Sequence, residues 1–406
     1  MGRKFSGKFK ISNRLDSCLD CGFCTLQIAC PGESKCTGCG ACVLACPHSS
    51  KVLEEREEER EGVRISVNGE SFHVPERVTV LRALELLGFK VSSLPWEEGI
   101  FAPCRTGGCW ACSVVIDGKL KPSCITPVRE GMSILTDTSG FKPLRLVSGF
   151  QGHPVGGVGT PYWLKSGLGY VEAACFAHGC ILRCPSCQNW HLTYSSIESP
   201  LTPERAAALM KKTRERFGVN RMAISGGEPT LNRKWLLEYL RDLKEMNQDP
   251  EARLHVDTNA TVLTRDYIDE LVEAGMTDIG VDLKGLELET FCRITGVEER
   301  LARELQKTEW SAAEYLIKEY YPEVFVGIGI PYNPSFISLE EVGRMGEKIA
   351  KWDPEVQVCA LDYRAEFRAR GLRKPTYQQM LEVKRVLEEA GLRCVICQTE
   401  RGHVGP

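Results

Sequence analysis

The sequence predicts an α/β fold for its C-terminal part, behind small cysteine-rich modules. From about residue 167 onward, candidate strands alternate with candidate helices, which is typical of parallel strands covered by helices. The second observation is the clustering of cysteines, since sixteen of the 20 fall in four tight groups: 18/21/24/30, 36/39/42/46, 104/109/112/124 and 175/180/184/187. Together these observations predict a division of the chain into residues 1–61, 62–138, 139–166 and 167–406.

Composition and charge exclude several classes of protein. The chain has 406 residues, enough for two or three domains, and its 43% hydrophobic and 26% charged content is that of a soluble globular protein. A net charge of -3 argues against a chain built to coat nucleic acid. No apolar run approaches the roughly 18 residues needed to cross a bilayer. The basic start lacks the apolar core of a signal peptide. We therefore expect a cytoplasmic protein with no nucleic-acid or membrane partner.

The cysteine content predicts metal binding. Cytosolic thiols are kept reduced, so 20 cysteines without an export signal are not expected to form a disulfide framework. Soft thiolates select iron–sulfur clusters, zinc or Cu(I). Iron–sulfur clusters in this number also indicate an anoxic or strongly reducing cytoplasm.

The first segment carries two successive cysteine runs. The second run, with Pro47 after its last Cys, has the bacterial ferredoxin pattern, in which the fourth Cys ligates the other cluster. By this crossed rule, two 4Fe–4S clusters would have the ligand sets Cys18/Cys21/Cys24/Cys46 and Cys36/Cys39/Cys42/Cys30. The first run has five residues before its fourth Cys where the pattern has three. A single cluster therefore remains an alternative, and so do zinc sites.

Two stretches predict connections. Lys51–Glu61 is a run of charges, typical of a solvated helix or linker. Residues 139–166 are rich in Gly and Pro and predict an interdomain connection, in which His153 is expected to be an exposed bystander. We assign no chemistry to either stretch.

The second segment predicts a small β-rich redox domain. Asn68-Gly69 predicts a hairpin turn, and a helix is expected over Thr79–Leu87. Four cysteines follow with plant-type 2Fe–2S spacing: Cys104, Cys109, Cys112 and Cys124. The segment resembles the β-grasp 2Fe–2S ferredoxin domains of molybdenum hydroxylases and hydrogenase-type complexes. This resemblance implies an electron relay, with a zinc site as the alternative.

The third segment places polar motifs after successive candidate strands. A loop with Cys180, Cys184 and Cys187 follows the first strand, and Ser225–Pro229 (Ser-Gly-Gly-Glu-Pro) ends the second. The third ends in Asp257-Thr258-Asn259, and the fourth runs into Asp282-Leu283-Lys284. Working residues of such folds gather at the C-terminal ends of strands, so one site is predicted there. Three thiolates with one open position indicate a reaction site more often than a structural one.

These motifs are similar to those of the radical S-adenosylmethionine (SAM) superfamily, nearest its pyruvate formate-lyase activating enzyme branch. The resemblance implies a partial (β/α)6-type barrel in which the loop cysteines hold a 4Fe–4S cluster chelated by SAM. It further implies a set of SAM-binding residues: Gly226 and Gly227 at the methionine end, Glu228 on its ammonium, Asp257, Asp282 and Lys284 near its carboxylate or an associated monovalent cation, and Asn259. Ser186 stands where the family commonly has an aromatic residue, so stacking on adenine is not implied.

The function implied is that of a radical SAM oxidoreductase. It would cleave SAM reductively to a 5′-deoxyadenosyl radical that abstracts hydrogen from an unknown small molecule or protein. Three 4Fe–4S clusters and one 2Fe–2S cluster would relay electrons from an external low-potential donor. The alternatives are a glycyl-radical activase acting on a partner protein, and a non-catalytic electron-transfer protein. A zinc site with His178 or His191 is the alternative at the loop, and the remaining cysteines are expected to be mostly buried apolar residues.

Overall fold

The computed structural model describes residues 3–165 and 169–406. The chain forms two compact units. The first comprises Met1–Val147, Ala177–Ile181 and Asn189–Thr202, and the second Ser148–Phe176, Leu182–Gln188 and Pro203–Pro406. The predicted boundary between residues 166 and 167 lies outside the described residues, and the other segment boundaries stay predictions. Within the described ranges, no helix has the length and apolar character needed to cross a membrane.

The first unit is built on a six-stranded sheet in the order β1-β2-β8-β6-β7, with β3 paired to β2. The strands of this sheet are β1 (Lys4–Arg14), β2 (Lys51–Val67), β3 (Glu70–Pro75), β6 (Ser113–Ile116), β7 (Lys119–Pro122) and β8 (Met132–Leu135). Strands β4 (Val91–Ser92) and β5 (Ile100–Phe101) pair with each other in a separate two-stranded sheet. The helices of this unit are α1 (Phe23–Leu26), α2 (Ala41–Ala45), α3 (Val80–Leu86) and α4 (Trp190–Thr193), with a 3-10 turn at Glu33–Lys35.

Local chemistry explains the elements of the 2Fe–2S segment. The predicted hairpin at Asn68-Gly69 joins β2 to β3, with Val67 opposite Glu70. The predicted helix is α3, whose N-cap Thr79 accepts a hydrogen bond from the backbone N–H of Arg82. The apolar face of α3 packs into the core beneath this sheet. Both of these predictions are confirmed.

The charged run Lys51–Glu61 is a strand, so its prediction as a helix or linker is wrong. It is the first part of β2 and pairs antiparallel with β1, where Lys8 lies opposite Glu57 and Lys10 opposite Glu55. Opposite charges facing each other across an antiparallel pair are favourable, although exposed pairs contribute at most about 1 kcal/mol each. The run acts as a strand because a complementary basic strand is available some fifty residues earlier, as the register shows.

Arg60 anchors this β1–β2 ribbon to the rest of the first unit. Its side chain is only 1% exposed, and its guanidinium lies 4.0 Å from the centroid of the Phe9 ring. It donates to the carbonyl of Arg77 at 2.6 Å and to the carboxylate of Glu58 at 3.0 Å. A buried cation held by a ring, a carbonyl and a carboxylate is costly to truncate, because its partners lose their interactions.

We expect Arg60→Ala to lower the free energy of unfolding of the first unit by about 2–3 kcal/mol, because it empties a buried ion site. Arg56 lies on the same strand with its side chain 53% exposed, so Arg56→Ala serves as the matched control. The control should change stability by less than about 0.5 kcal/mol. Urea denaturation followed by circular dichroism measures both, and equal losses would contradict the anchoring role.

The second unit is built on a nine-stranded sheet in chain order from β17 to β9. Its strands are β9 (Val147–His153), β10 (Glu172–Ala177), β11 (Arg221–Gly226), β12 (Arg253–Thr258), β13 (Asp278–Asp282), β14 (Phe325–Tyr332), β15 (Gln357–Asp362), β16 (Val395–Thr399) and β17 (Gly402–Val404). Its helices are α5 (Pro203–Phe217), α6 (Arg233–Met246), α7 (Arg265–Glu273), α8 (Leu288–Thr295), α9 (Glu299–Glu319), α10 (Leu339–Ala350) and α11 (Tyr377–Glu389), with 3-10 turns at Tyr162–Leu164 and Pro229–Leu231.

The predicted alternation of parallel strands and helices is confirmed. Strands β11 to β16 pair in parallel with their neighbours in chain order. Because the order never reverses, the C-terminal ends of these six strands lie along one edge of the sheet. β9 and β17 are the two outer strands, so the described strands form no closed barrel. The prediction of residues 139–166 as a mere connection is wrong in part, since Val147–His153 is a strand of this sheet.

Candidate active site

The predicted motifs lie at the C-terminal ends of neighbouring parallel strands. β11 ends at Gly226, directly before Gly227 and Glu228. On β12, Asp257 lies opposite Gly280 of β13. Asp282, the last residue of β13, lies opposite Gly329 of β14. The structure therefore brings these predicted residues to one edge of the sheet.

Glu228 is fully buried and ties the ends of two strands together. Its Oε1 accepts from the backbone N–H and hydroxyl of Thr230, at 3.0 and 2.6 Å, and from the hydroxyl of Thr258 at 2.7 Å. Its Oε2 accepts from the backbone N–H of Asn259 at 2.8 Å. Burial raises the pKa of Glu228 and these hydrogen bonds oppose the shift. Glu228 thus fixes the site from inside the protein, and a contact of its carboxylate with SAM stays a prediction.

Asn259 shapes the turn that follows β12. Its side-chain oxygen accepts from the backbone N–H of Thr261 at 3.2 Å and from the Thr261 hydroxyl at 2.6 Å. Its own backbone N–H is bound to Glu228. The geometry therefore gives Asn259 a role in the backbone of the site, and a direct cofactor contact stays a prediction.

Lys284 is a cation beside Asp282, with a side chain that is only 13% exposed. Its Nζ donates to Asp282 Oδ2 at 2.9 Å. Burial alone would lower the pKa of Lys284, but the charge of Asp282 and the neighbouring Cys184 thiol raise it above its ordinary value. Its backbone N–H donates to Glu309 Oε1 at 3.0 Å. Lys284 is therefore protonated throughout the physiological range.

Glu309 was not predicted as a site residue. It lies on α9, fully buried, and its Oε2 has no hydrogen-bond partner among the residues that the structure describes. Burial raises the pKa of Glu309 well above its ordinary value. The signal available in the sequence was weak, since it is one glutamate among several on an amphipathic helix.

The cysteine loop divides between the two units, with Cys180 in the first and Cys184 and Cys187 in the second. In the second unit the loop is anchored at both sides: Arg183 N–H donates to the Thr295 carbonyl at 2.7 Å, and the buried Ser186 hydroxyl donates to the Arg364 carbonyl. Ser186 therefore serves the backbone of the loop, which accounts for a small polar residue there.

The surroundings of Cys184 fit a metal ligand. Burial raises the pKa of its thiol, while the nearby Lys284 ammonium and a hydrogen bond with Tyr363 act in the opposite direction. A cation and a hydroxyl donor beside a sulfur stabilise its thiolate, the form that binds iron. Because Lys284 and Asp282 are both electrostatic neighbours of Cys184, this cysteine lies at the same edge of the sheet as they do.

A glycine-rich segment, Gly157–Thr160, covers the inner strands of the second unit. A Cβ on Gly157 would overlap the Asp257 carboxylate, and one on Gly159 would overlap the backbone of β13 at Gly280. A Cβ on Gly327 of β14 would overlap the carbonyl of Val158. Glycine is required both in this segment and in the strands beneath it, because the backbone of the segment lies directly against the backbone of the sheet.

Polar side chains from the sheet hold this segment in place. Arg221 on β11 donates to the Gly159 carbonyl at 3.0 Å, and Gln357 on β15 donates to the Thr160 carbonyl at 3.0 Å. The Thr160 hydroxyl donates to Glu172 at 3.0 Å. The sequence prediction missed this role, although the spacing of glycines in Gly156-Gly157-Val158-Gly159 was a signal for close backbone approach.

A chain of buried ionisable groups reaches Asp257 from β9 and β10. Glu172 contacts His153 Nδ1 at 2.9 Å and His255 Nδ1 at 3.3 Å, and His255 Nε2 lies 3.0 Å from Asp257 Oδ1. Burial would raise the pKa of Glu172, but its histidine partners hold it well below the ordinary value. The expectation that His153 is a bystander is wrong. His255, placed between the apolar Leu254 and Val256 of β12, was the signal that the sequence offered.

His255 carries a positive charge inside the protein. Burial would lower its pKa, but the charge of Asp257 and its hydrogen bonds with Asp257 and Glu172 raise it to about 9. The unfolded chain releases this proton near the ordinary histidine value of about 6.5. The stability that the proton supplies is therefore fully present below that value and lost as the pH rises through about 9.

We expect the second unit to lose on the order of 3 kcal/mol of stability between pH 6.5 and 9 through this group. The variant His255→Gln should flatten this part of the pH profile, whereas His73→Gln, an exposed histidine of β3, should leave it unchanged. Thermal unfolding at a series of pH values provides the measurement. Parallel profiles for wild type and His255→Gln would disprove the assignment.

The four cysteines of the plant-type pattern are all buried in the first unit. Cys109 Sγ lies 3.2 Å from Cys104 Sγ. Hydrogen bonds with Cys104 and Cys112 raise the pKa of Cys124 well above the ordinary value. The hydrogen bond with Cys109, and after it the one with Cys124, lowers the pKa of Cys104 well below that value. Four thiols gathered in a protein interior match the ligand set of a 2Fe–2S cluster.

The eight N-terminal cysteines are more exposed. Cys21 and Cys30 are exposed, and Cys42 and Cys46 are buried. Burial raises the pKa of Cys39 and of Cys42, with Cys30 a further cause in both cases; for Cys24, Cys46 is among the further causes. For Cys24, Cys42 of the other predicted set is a larger cause than Cys46, so the thiols of the two predicted sets lie close to each other.

The zinc sites considered as alternatives stay predictions. Across residues 3–165 and 169–406, no group of three or more Cys, His, Asp or Glu side chains is arranged to hold one metal ion. Of the histidines proposed as zinc ligands, His178 is buried with its Nδ1 3.1 Å from the Ser195 carbonyl. Outside the predicted ligand sets, three cysteines are buried and two are half-buried: Cys175, Cys359 and Cys397, then Cys292 and Cys394.

Comparison with protein families agrees with this geometry. The profile of the radical SAM superfamily matches residues 175–342, which include the loop cysteines, Glu228 and the strand-end carboxylates. This chain carries a radical SAM domain. Ahead of the radical SAM domain, a 2Fe-2S iron-sulfur cluster binding domain matches residues 60–139 and a 4Fe-4S binding domain matches residues 29–50. The 4Fe–4S match leaves Cys18, Cys21 and Cys24 outside.

Similar curated proteins include a probable GTP 3',8-cyclase of Saccharolobus solfataricus, 31% identical over 121 residues, which are 30% of this chain and 37% of that protein. The PqqA peptide cyclase of Bradyrhizobium diazoefficiens is 30% identical over 135 residues, 33% of each chain. The alignments thus span only about a third of these relatives.

Among solved structures, Streptococcus suis SuiB bound to S-adenosylmethionine has a TM-score of 0.38 at 16% identity, covering 52% of this chain and 44% of that one. Escherichia coli coproporphyrinogen III oxidase (HemN) has a TM-score of 0.33 at 16% identity, with 46% and 47% covered. TM-scores this low give no information about substrate.

Several predictions are confirmed by these findings. The α/β fold is confirmed, and the matches to a radical SAM domain, a 2Fe–2S domain and a 4Fe–4S domain lie where the sequence predicts them. The number of clusters, the ligand residues and the nearest branch of the superfamily stay predictions.

Proposed function

We propose that this protein cleaves SAM reductively and uses the resulting 5′-deoxyadenosyl radical to abstract hydrogen from a substrate. The observation that carries the proposal is the shared edge of the sheet, where the Gly-Gly-Glu turn, Asp257 and the Asp282–Lys284 pair lie at the ends of three adjacent strands. Cys184 lies beside Lys284 and Tyr363 at that same edge. A site with a thiolate, a fixed cation and convergent carboxylates suits an amino acid zwitterion joined to a metal.

The residues at this edge have distinct roles in the proposal. Gly226 has a φ of 112° and no Cβ, so the backbone here is open to close approach by the methionine moiety of SAM. Lys284 offers a permanent positive charge to the SAM carboxylate. Asp257 is held at Oδ1 by His255 and presents a fixed negative charge to cationic groups of SAM or to an associated cation.

The proposed cofactors are SAM, three 4Fe–4S clusters and one 2Fe–2S cluster. The four buried thiols of the 2Fe–2S segment and the proximity of Cys30 to Cys39 and Cys42 support this set. An external low-potential carrier would supply the electrons, and ferredoxin-type clusters reach roughly −400 mV or lower, as reductive SAM cleavage requires. The substrate is left open, and kinship with the pyruvate formate-lyase activating enzymes stays a prediction.

Anaerobic incubation of the reconstituted, reduced protein with SAM should yield 5′-deoxyadenosine and methionine. Cys184→Ala should abolish the product, because it removes a ligand of the site. Cys292→Ala is the matched control, since Cys292 is a half-buried cysteine outside every predicted ligand set, and it should retain full cleavage. If wild type and Cys184→Ala yield equally little 5′-deoxyadenosine, the protein is an electron-transfer protein and the proposal is wrong.

Iron analysis tests the proposed set of clusters. Three 4Fe–4S clusters and one 2Fe–2S cluster require about fourteen irons per chain. Cys112→Ala should lower the content by about two, and Cys39→Ala by about four, because each removes one cluster. A wild-type content of about ten would instead mean one N-terminal cluster.

A further inference from the structure

The 2Fe–2S ligand loop lies directly against the backbone that leads into Cys180. A Cβ on Gly108 would lie 2.6 Å from the backbone nitrogen of Gly179, and a Cβ on Gly179 would lie 2.7 Å from the backbone nitrogen of Cys109. Gly179 has a φ of 80°, which favours glycine for its conformation as well. Because Gly179 is bonded to Cys180, a predicted 2Fe–2S ligand is in van der Waals contact with the neighbour of a predicted radical SAM ligand.

Hydrogen bonds hold this contact in place. The backbone N–H of Leu146 donates to the Gly108 carbonyl at 3.2 Å, and the N–H of His178 donates to the Leu146 carbonyl at 3.0 Å. The N–H of Gly179 donates to the Thr193 carbonyl at 2.9 Å. Leu146 thus joins the backbone at Gly108 to the backbone at His178, next to Gly179. These hydrogen bonds fix the Gly108–Gly179 contact within the first unit.

A second contact joins the 2Fe–2S loop to the N-terminal cysteines. The hydroxyl of Ser196 accepts from the backbone N–H of Ala29 at 2.9 Å, and the N–H of Ser196 donates to the Gln27 carbonyl at 2.8 Å. On its other side, the Cβ of Ser196 would lie 3.4 Å from a Cβ on Gly107. Ala29 is bonded to Cys30, so Ser196 lies between a predicted 4Fe–4S ligand and the 2Fe–2S loop.

We propose that these two contacts connect the cysteine sets in series. Electrons would pass from the 4Fe–4S set containing Cys30, through Ser196, to the 2Fe–2S set, and through the Gly108–Gly179 contact to Cys180. The inference rests on the proposed function, in which each SAM cleavage consumes one electron supplied by an external one-electron carrier. Electron tunnelling falls steeply with distance and favours covalent and hydrogen-bonded routes, and backbone hydrogen bonds bridge both contacts.

A rival route leaves the 2Fe–2S set aside. The ring of Phe23, between Cys21 and Cys24, lies with its centroid 4.8 Å from that of Trp190, three residues after Cys187. This contact could deliver electrons from the other 4Fe–4S set to the radical SAM loop directly. The two routes differ in whether the 2Fe–2S signal takes part in refilling the radical SAM site after a turnover.

The test mixes fully reduced, full-length protein with SAM and follows each cluster by rapid-freeze electron paramagnetic resonance. In wild type, the signal of the reduced 2Fe–2S cluster should decay as the second equivalent of 5′-deoxyadenosine forms. Gly108→Ala should keep the first equivalent but slow that decay several-fold, because its Cβ forces the loop away from Gly179. Gly140→Ala, whose Cβ would meet no atom within 4 Å, is the matched control and should behave as wild type.

Ser196→Ala should leave the decay of the 2Fe–2S signal unchanged but slow the reoxidation of the 4Fe–4S set behind it. If in wild type the 4Fe–4S signals decay while the 2Fe–2S signal persists, and Phe23→Leu slows them, the rival route is correct and the series is wrong.

A measurement without turnover separates this inference from the proposed function and does not depend on the Gly108 variant folding. The microwave power saturation of the reduced 2Fe–2S signal should change when the radical SAM cluster is absent, as in Cys184→Ala, because adjacent spins relax each other. An unchanged saturation would overturn the series even if SAM is cleaved. A changed saturation without SAM cleavage would refute the proposed function alone.

Discussion

The candidate site depends on the hydrogen bonds that the buried carboxylate of Glu228 accepts. A buried carboxylate is costly unless hydrogen bonds satisfy it, and Glu228 receives them from the residues that follow β11 and β12. The strand ends are therefore locked together at the positions where Gly226 and Asp257 face the site. Loss of this carboxylate would remove the hydrogen bonds that hold the turn after β11 and the turn after β12. The order of the candidate site therefore depends on Glu228.

Part of the interior of the second unit is packed by backbone against backbone. Gly280 and Gly327 leave room for Gly157–Thr160, and side chains of the sheet bind its carbonyl groups. The ionic chain through Glu172 and His255 then reaches Asp257. The stretch 139–166, which the sequence predicts to be a connection, thus supplies part of the packing beneath the proposed SAM site. Its His153 also begins the row of ionisable groups that leads to Asp257.

Motif spacing was sufficient to predict the fold class, the ferredoxin-like modules and the strand ends that carry Glu228, Asp257 and Lys284. Each depends on local sequence, where period and spacing have a direct meaning. The features that were missed depend on partners distant in sequence. Lys51–Glu61 becomes a strand only because β1 supplies the opposite charges, and His153 becomes part of an ion chain only because Glu172 and His255 meet it.

The β1–β2 ribbon also covers part of the N-terminal thiols. The backbone N–H of Ser12 on β1 lies 3.4 Å from Cys36 Sγ, and its hydroxyl lies 3.1 Å from Cys42 Sγ. A cover whose outer pairs are exposed lysines and glutamates is weakened by concentrated salt, because the screening length falls from about 8 Å at physiological ionic strength to about 3 Å at 1 M. Ionic strength, an ordinary variable of purification buffers, should therefore govern how fast dioxygen damages the cluster that these sulfurs would hold.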